Sequence, residues 1–148
     1  MRQILIIIIS WLLTFASAQA QSGLNVASLF EGKIIPQQRM VETRVRGKML
    51  SKYQLSFFRS VMFKADNKQE INRVHNLIEQ YIKAFPGFAY AENYSSEKSR
   101  SKETLMLQLP KADTKNRFLC YKRNNEEITV IYMEGTLNSI YKLRELIK

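Results

Sequence analysis

Phe118-Leu119-Cys120-Tyr121-Lys122-Arg123-Asn124-Asn125-Glu126-Glu127-Ile128-Thr129-Val130-Ile131 is the stretch that decides the fold class. Two runs of apolar, aromatic and β-branched residues flank a polar centre, and Asn tolerates the positive φ that a tight turn demands. The stretch predicts a β-hairpin with Asn124 and Asn125 as its central pair. In that register Arg123 faces Glu126 and Lys122 faces Glu127, so opposite charges meet across the strands. Deeper in, Leu119 falls opposite Val130, Phe118 opposite Ile131 and Cys120 opposite Thr129. Gly135 ends the hairpin. Thr136 is placed to cap a last helix with a stripe of Leu137, Ile140, Leu143 and Ile147.

Upstream, residues 105–109 read as a strand that stops at Pro110, with a turn over 111–114. Residues 88–94 read as a strand or a helical continuation, and 95–102, polar and charged throughout, as a loop. Asp66 and Gln69 have capping-box spacing ahead of Ile71, Val74, Ile78, Tyr81, Ile82 and Phe85, a one-stripe helix closed by Pro86-Gly87. Residues 53–64 form a strand with Leu55, Phe57, Val61 and Phe63 on one face and Phe58 and Met62 on the other. Arg59 interrupts it and needs a carboxylate or carbonyls for its five donors. In 41–46 the period is two, with Val41, Thr43 and Val45 alternating with Glu42, Arg44 and Arg46, which suits an edge strand. A short helix over 24–32, capped by Asn25 and stopped by Gly32, precedes it. The order α, β, β, α, β, β, β, β, α predicts one α+β domain over residues 21–148: two layers, a mostly antiparallel sheet with two amphipathic helices on one face.

Residues 1–20 have the build of a secretory signal. Arg2 precedes the apolar run Ile4-Leu5-Ile6-Ile7-Ile8-Ile9-Ser10-Trp11-Leu12-Leu13-Thr14-Phe15, and Ala16-Ser17-Ala18 and Ala18-Gln19-Ala20 are small-x-small cleavage sites. The run is shorter than the roughly 20 residues of a spanning helix. A periplasmic or secreted product without a transmembrane anchor is expected. Without Arg2 the chain holds 22 basic and 13 acidic side chains, net +9. Such a field attracts polyanions. Export turns the expectation from nucleic acid toward an anionic envelope polymer, lipid headgroups or an envelope protein, unless the charge serves only solubility.

The segments Gly47-Lys48-Met49-Leu50-x-x-Tyr53-x-Leu55, Phe58-Arg59-Ser60 and Ile131-Tyr132-Met133-Glu134-Gly135 resemble those of a family of small exported Bacteroidetes proteins of unknown function. The resemblance runs from about Leu24 to the end. It implies an envelope location and supplies no catalytic residues.

Chemistry-bearing motifs are sparse. One His and one Cys exclude intramolecular disulfides and zinc sites built from several cysteines or histidines. His75 and Glu79 share a helix face four residues apart, but two ligands do not hold a metal. Cys120, mid-strand between Leu119 and Tyr121, reads as a small hydrophobe with a raised pKa. There is no GxSxG, no HExxH and no glycine-rich phosphate loop, so neither an enzyme nor a cofactor is expected. Two binding readings stand. One is an anion site of Tyr90, Tyr94, Lys98, Arg100 and Lys102, extended by Arg44, Arg46 and Lys48. The other is a protein-interaction module presenting a sheet edge or the C-terminal helix.

Overall fold

The computed structural model describes residues 26–84, 89–95 and 100–146. The predicted leader, Asn25, Pro86, Gly87, Lys98 and Ile147 lie outside the described residues. The elements are helix α1 (Ala27–Phe30), strand β1 (Val41–Arg46), strand β2 (Leu55–Lys64), helix α2 (Lys68–Ala84), strands β3 (Ala89–Glu92), β4 (Lys102–Ala112), β5 (Lys115–Asn124) and β6 (Glu127–Gly135), and helix α3 (Ile140–Leu146). Short 3-10 helices span Gln37–Arg39 and Lys48–Tyr53. The six strands form one antiparallel sheet in the order β1-β2-β6-β5-β4-β3, so the fold is α+β. No helix among the described residues is long and apolar enough to cross a membrane.

Alternation along the central strands sorts the core into two. Leu119 and Tyr121 of β5, with Val130 and Tyr132 of β6, pack under Ile71, Val74, Leu77, Ile78 and Tyr81 of α2 and under Leu29 and Phe30 of α1. Phe118 and Cys120, with Ile131 and Met133, pack under Ile140 and Leu143 of α3 and under Leu50. The two amphipathic helices therefore cover opposite faces, not one, and the sheet is the middle layer. The reason is that β5 and β6 are apolar on both sides, and each side needs its own cover.

The β5–β6 turn is displaced by one residue from the expected register. Asn124 pairs with Glu127, leaving Asn125 and Glu126 at the tip, and Asn125 takes the positive φ of 56°. Tyr121 meets Val130, Leu119 meets Tyr132, Cys120 meets Ile131 and Phe118 meets Met133. The shift gives up two exposed charge pairs, each worth less than about 1 kcal/mol, and aligns large buried side chains instead. Arg123 has other work: its Nε donates to the Asn125 carbonyl at 2.7 Å and its Nη1 to the Arg100 carbonyl at 2.7 Å.

Other boundaries move for local reasons. Asn67, not Asp66, caps α2, its Oδ1 accepting from the Glu70 N–H at 3.0 Å. Ser139, not Thr136, begins α3, its hydroxyl accepting from the Lys142 N–H at 3.4 Å and its carbonyl from the Leu143 N–H at 3.1 Å. Strand β4 runs on through Pro110 to Ala112 across an irregularity between Leu109 and Ala112, the kind of site where a strand tolerates proline. Residues 89–92 are strand, not helix.

The tie between N-terminus and body is polar. The Val26 N–H donates to the buried Tyr81 hydroxyl at 2.7 Å, and burial raises the Tyr81 pKa. Gly32, at φ 79°, ends α1 in the left-handed conformation that suits glycine. Arg39 Nη1 donates to buried Glu70 at 2.8 Å and Nη2 reaches Asp66 at 3.0 Å. The hydrogen bond from Arg39 holds the Glu70 carboxyl below the usual carboxylate range.

A β-bulge between Leu55 and Phe57 reverses the facing of Leu55, which joins the α3 core while Phe57 lies against the α2 core. Gly135, paired with Leu55, makes room for it. A Cβ at 135 would stand 2.6 Å from Leu55 Cα and closer still to the Gln54 carbonyl oxygen. That carbonyl also accepts from the Leu137 N–H at 3.0 Å, and the buried Asn116 side chain donates to the Leu137 carbonyl at 3.0 Å, so the approach to α3 is held from both sides.

Gly135→Ala should lower stability by about 1–3 kcal/mol, seen as a lower urea midpoint at unchanged slope; an unchanged midpoint refutes the close approach. The Glu70 pKa is depressed in the folded state, so its contribution is present above the ordinary glutamate value of about 4.3 and is lost as pH falls through the folded-state value. The urea-midpoint gap between the parent and Arg39→Met should be widest near neutrality and close in acid. A gap independent of pH would contradict this.

Candidate functional site

Helix α3 has seven residues, about 10 Å of axis, whereas β4, β5 and β6 have nine to eleven, about 30 Å or more. The helix therefore covers one end of its face. Beneath it and the 3-10 helix Lys48–Tyr53 lie the rank of Val45, Phe58, Met133 and Phe118 and the rank of Ile131, Cys120 and Met106. The next rank, Val41, Met62, Thr129, Lys122 and Thr104, has no such cover: Val41 is 62% and Met62 39% exposed, and the other three are half-buried.

Among the described residues the exposed large apolar side chains are Val41, Met49, Tyr53, Met62, Tyr141 and Leu146. Val41 and Met62 point to the α3 face by alternation from Val45 and Phe58. Met49 and Tyr53 belong to the 3-10 helix whose Leu50 packs into the α3 core, and Tyr141 and Leu146 belong to α3 itself. All six are thus carried by one side of the sheet. Strand β1 borders that side as an edge strand, every residue but Val45 exposed.

The residues singled out for anion binding do not assemble into one patch. Arg44 and Arg46 lie on β1, at one sheet edge, while Arg100, Lys102, Tyr90 and Tyr94 belong to the β3–β4 edge. Between β1 and β4 lie four strand spacings, about 19 Å. Lys48 leaves the strand face, because Gly47, at φ 90°, turns the chain into the 3-10 helix. Tyr90 pairs with Met106 in the β3–β4 register. Lys102 is exposed opposite Asn124, and the Arg100 carbonyl is engaged by Arg123. Tyr94 is no open platform: it is half-buried, stacks on the His75 ring at 5.3 Å and donates its hydroxyl to Glu79. Burial raises its pKa, reinforced by that carboxylate.

This arrangement also redirects His75 and Glu79. The buried His75 ring donates through Nε2 to the Ser95 carbonyl at 3.0 Å, with Glu103 Oε2 at 3.9 Å, while Tyr121 donates its hydroxyl to Glu103 Oε1 at 3.0 Å. Tyr121 meets the His75 and Tyr94 rings edge-on at 6.5 and 6.3 Å. The cluster fastens the chain after β3 onto α2. Among the described residues no three His, Cys, Asp or Glu side chains come together as a metal-holding group. Glu103 was not legible as a member, since only the β4–β5 register sets it beside Arg123 and near α2.

Arg59 finds the partners its burial requires: Nε donates to Glu42 at 3.0 Å and Nη2 to the Phe30 carbonyl at 3.4 Å. Cys120 is fully buried, and desolvation pushes its thiol up to about 12. Native protein should leave Cys120 unlabelled by a disulfide reagent at mildly alkaline pH and run as a monomer on non-reducing gels, with full labelling only in denaturant. Rapid native labelling would overturn its placement.

Comparison with known proteins adds one match. No curated protein and no solved structure matches the chain. A family model described as "Family of unknown function (DUF6108)" matches residues 13–147. That match covers nearly all of the sequence, and the chain belongs to this family of unknown function.

Proposed function

We propose that this is a non-enzymatic, exported protein-interaction module whose working surface is the α3 side of the sheet, presented to an envelope protein. One observation carries the reading: the exposed large apolar side chains of the described chain are all on that side, on α3, on the 3-10 helix before β2, and on the open rank of β1 and β2. Single exposed apolar residues scattered over a surface need no explanation, whereas their concentration on one side favours a contact surface. Thr129, Lys122 and Thr104 continue the open rank with hydroxyls and a cation, the mixture found around the apolar centre of an interface. The β1 edge adds unpaired main-chain groups beside Val41, a route for strand addition.

Export rests on the leader and the envelope partner on export, so the test addresses the surface directly. A photo-crosslinking residue at Met62 or Tyr141, in cells producing the full chain, should yield the same discrete adduct from both positions. The same probe at Asn72, exposed on α2, should yield none. Glu at Val41 should remove the Tyr141 adduct, and high salt should not, because an apolar-centred contact is little screened. Adducts from Asn72 equal to those from Met62, or adducts abolished by salt alone, would overturn the reading.

A further inference from the structure

The opposite face carries a separate feature at the β1–β2 edge. Arg44 stands directly across from Arg59, and Arg46 across from Phe57. Alternation from Val61, a member of the α2 core, puts Arg59, Arg44, Arg46 and Glu42 on the α2 face. Like charges paired across strands are destabilising, and here a third guanidinium adjoins the pair. The carboxylate that bonds them is Glu42, whose Oε1 accepts from Arg44 at 3.1 Å and from Arg59 at 3.0 Å. Three cations against that acid leave a surplus of positive charge. On the same face the charge of Glu134, which lies across from Phe57, is offset by Arg117, its cross-strand neighbour on β5.

Two of the three guanidinium groups lie over aromatic rings. Arg46 lies over Phe57 and Arg59 over Phe30, each 4.8 Å from the ring centroid. Such contacts restrain the guanidinium groups, whose forked donors suit an anion with several oxygens. Lysine is the commoner cation in the chain, yet all three positions here are arginine. Among the described residues no exposed large apolar side chain lies on this face, so the described surface beside the arginines offers none to a bilayer.

We propose that Arg44, Arg46 and Arg59 form an oxyanion site for a phosphate or sulfate ester carried by a soluble ligand, independent of the α3 surface. The chemistry is bidentate recognition by preorganised guanidinium groups, with Glu42 keeping Arg44 and Arg59 in place between binding events.

The test titrates the full chain with a fluorescent heparin-derived hexasaccharide and, separately, with inorganic phosphate followed by amide NMR shifts. Arg44→Gln with Arg46→Gln should weaken hexasaccharide binding about tenfold or more, as expected for losing charge-assisted forks. Arg44→Lys with Arg46→Lys, which keeps the charge and leaves the Arg59 contacts with Phe30 and Glu42 intact, should still weaken it several-fold. Phosphate should shift amides of β1 and β2 first. Lys111→Gln with Lys115→Gln, an equal charge loss at the exposed β4–β5 end, should leave the affinity unchanged. Full retention by the double lysine variant, or an equal loss at Lys111 and Lys115, would reduce the site to net charge and overturn the proposal. Binding to phosphatidylglycerol vesicles without binding the hexasaccharide or phosphate would overturn it in favour of a membrane surface.

Discussion

Strands β5 and β6 are apolar on both faces, and a sheet that must be dry on both sides needs a cover on each. This constraint organises the molecule. Leu119 and Tyr121 face α2 while Phe118 and Cys120 face α3, and the same division runs through Val130 and Tyr132 against Ile131 and Met133. Both helices on one face would have left Phe118, Cys120, Ile131 and Met133 in water, at a cost of about 1.5–3 kcal/mol for each large side chain. Helix α2, with its long stripe, and the docked α1 close one side. Closing the other falls to a seven-residue helix and a 3-10 helix, which together leave part of it open.

The two faces differ in chemistry as well as in cover. The α2 face gathers the polar anchors: Tyr81 on Val26, Arg39 on Glu70, Tyr94 on Glu79, and Tyr121 and His75 around Glu103. Each is a directional contact that fixes where a covering segment lies on an otherwise non-directional apolar surface. On the α3 face the cover is tied at its approach, through Leu137, and beyond the helix Val41 and Met62 are exposed. Among the described residues, the side with the incomplete cover is also the side with the exposed large apolar side chains.

The arginines at the β1–β2 edge belong to the opposite logic. Their alternation with valine and threonine places cations on one face of an edge strand, the face away from Val41 and Val45. Partial neutralisation by Glu42 and stacking on Phe30 and Phe57 make the like-charge pairing tolerable within the fold without discharging it.

The α+β class, the existence of most elements, the edge character of β1, the need of Arg59 for partners and the raised pKa of Cys120 were legible in the sequence, because each follows from local periodicity, a donor count or one buried neighbourhood. Even the two-sided cover left its trace in the unbroken apolar runs of β5 and β6. Register, bulge and strand order were not legible. A one-residue shift of the β5–β6 turn, the reversal of Leu55 opposite Gly135, and the separation of Arg44 and Arg46 from Arg100 and Lys102 depend on contacts between segments far apart in the chain. The sequence by itself determined which faces of each element are apolar, since side-chain period is a local property. Only the tertiary structure decided which of those faces stay uncovered and which cations share an edge, because both are set by long-range pairing and by the length of helix available to close each side.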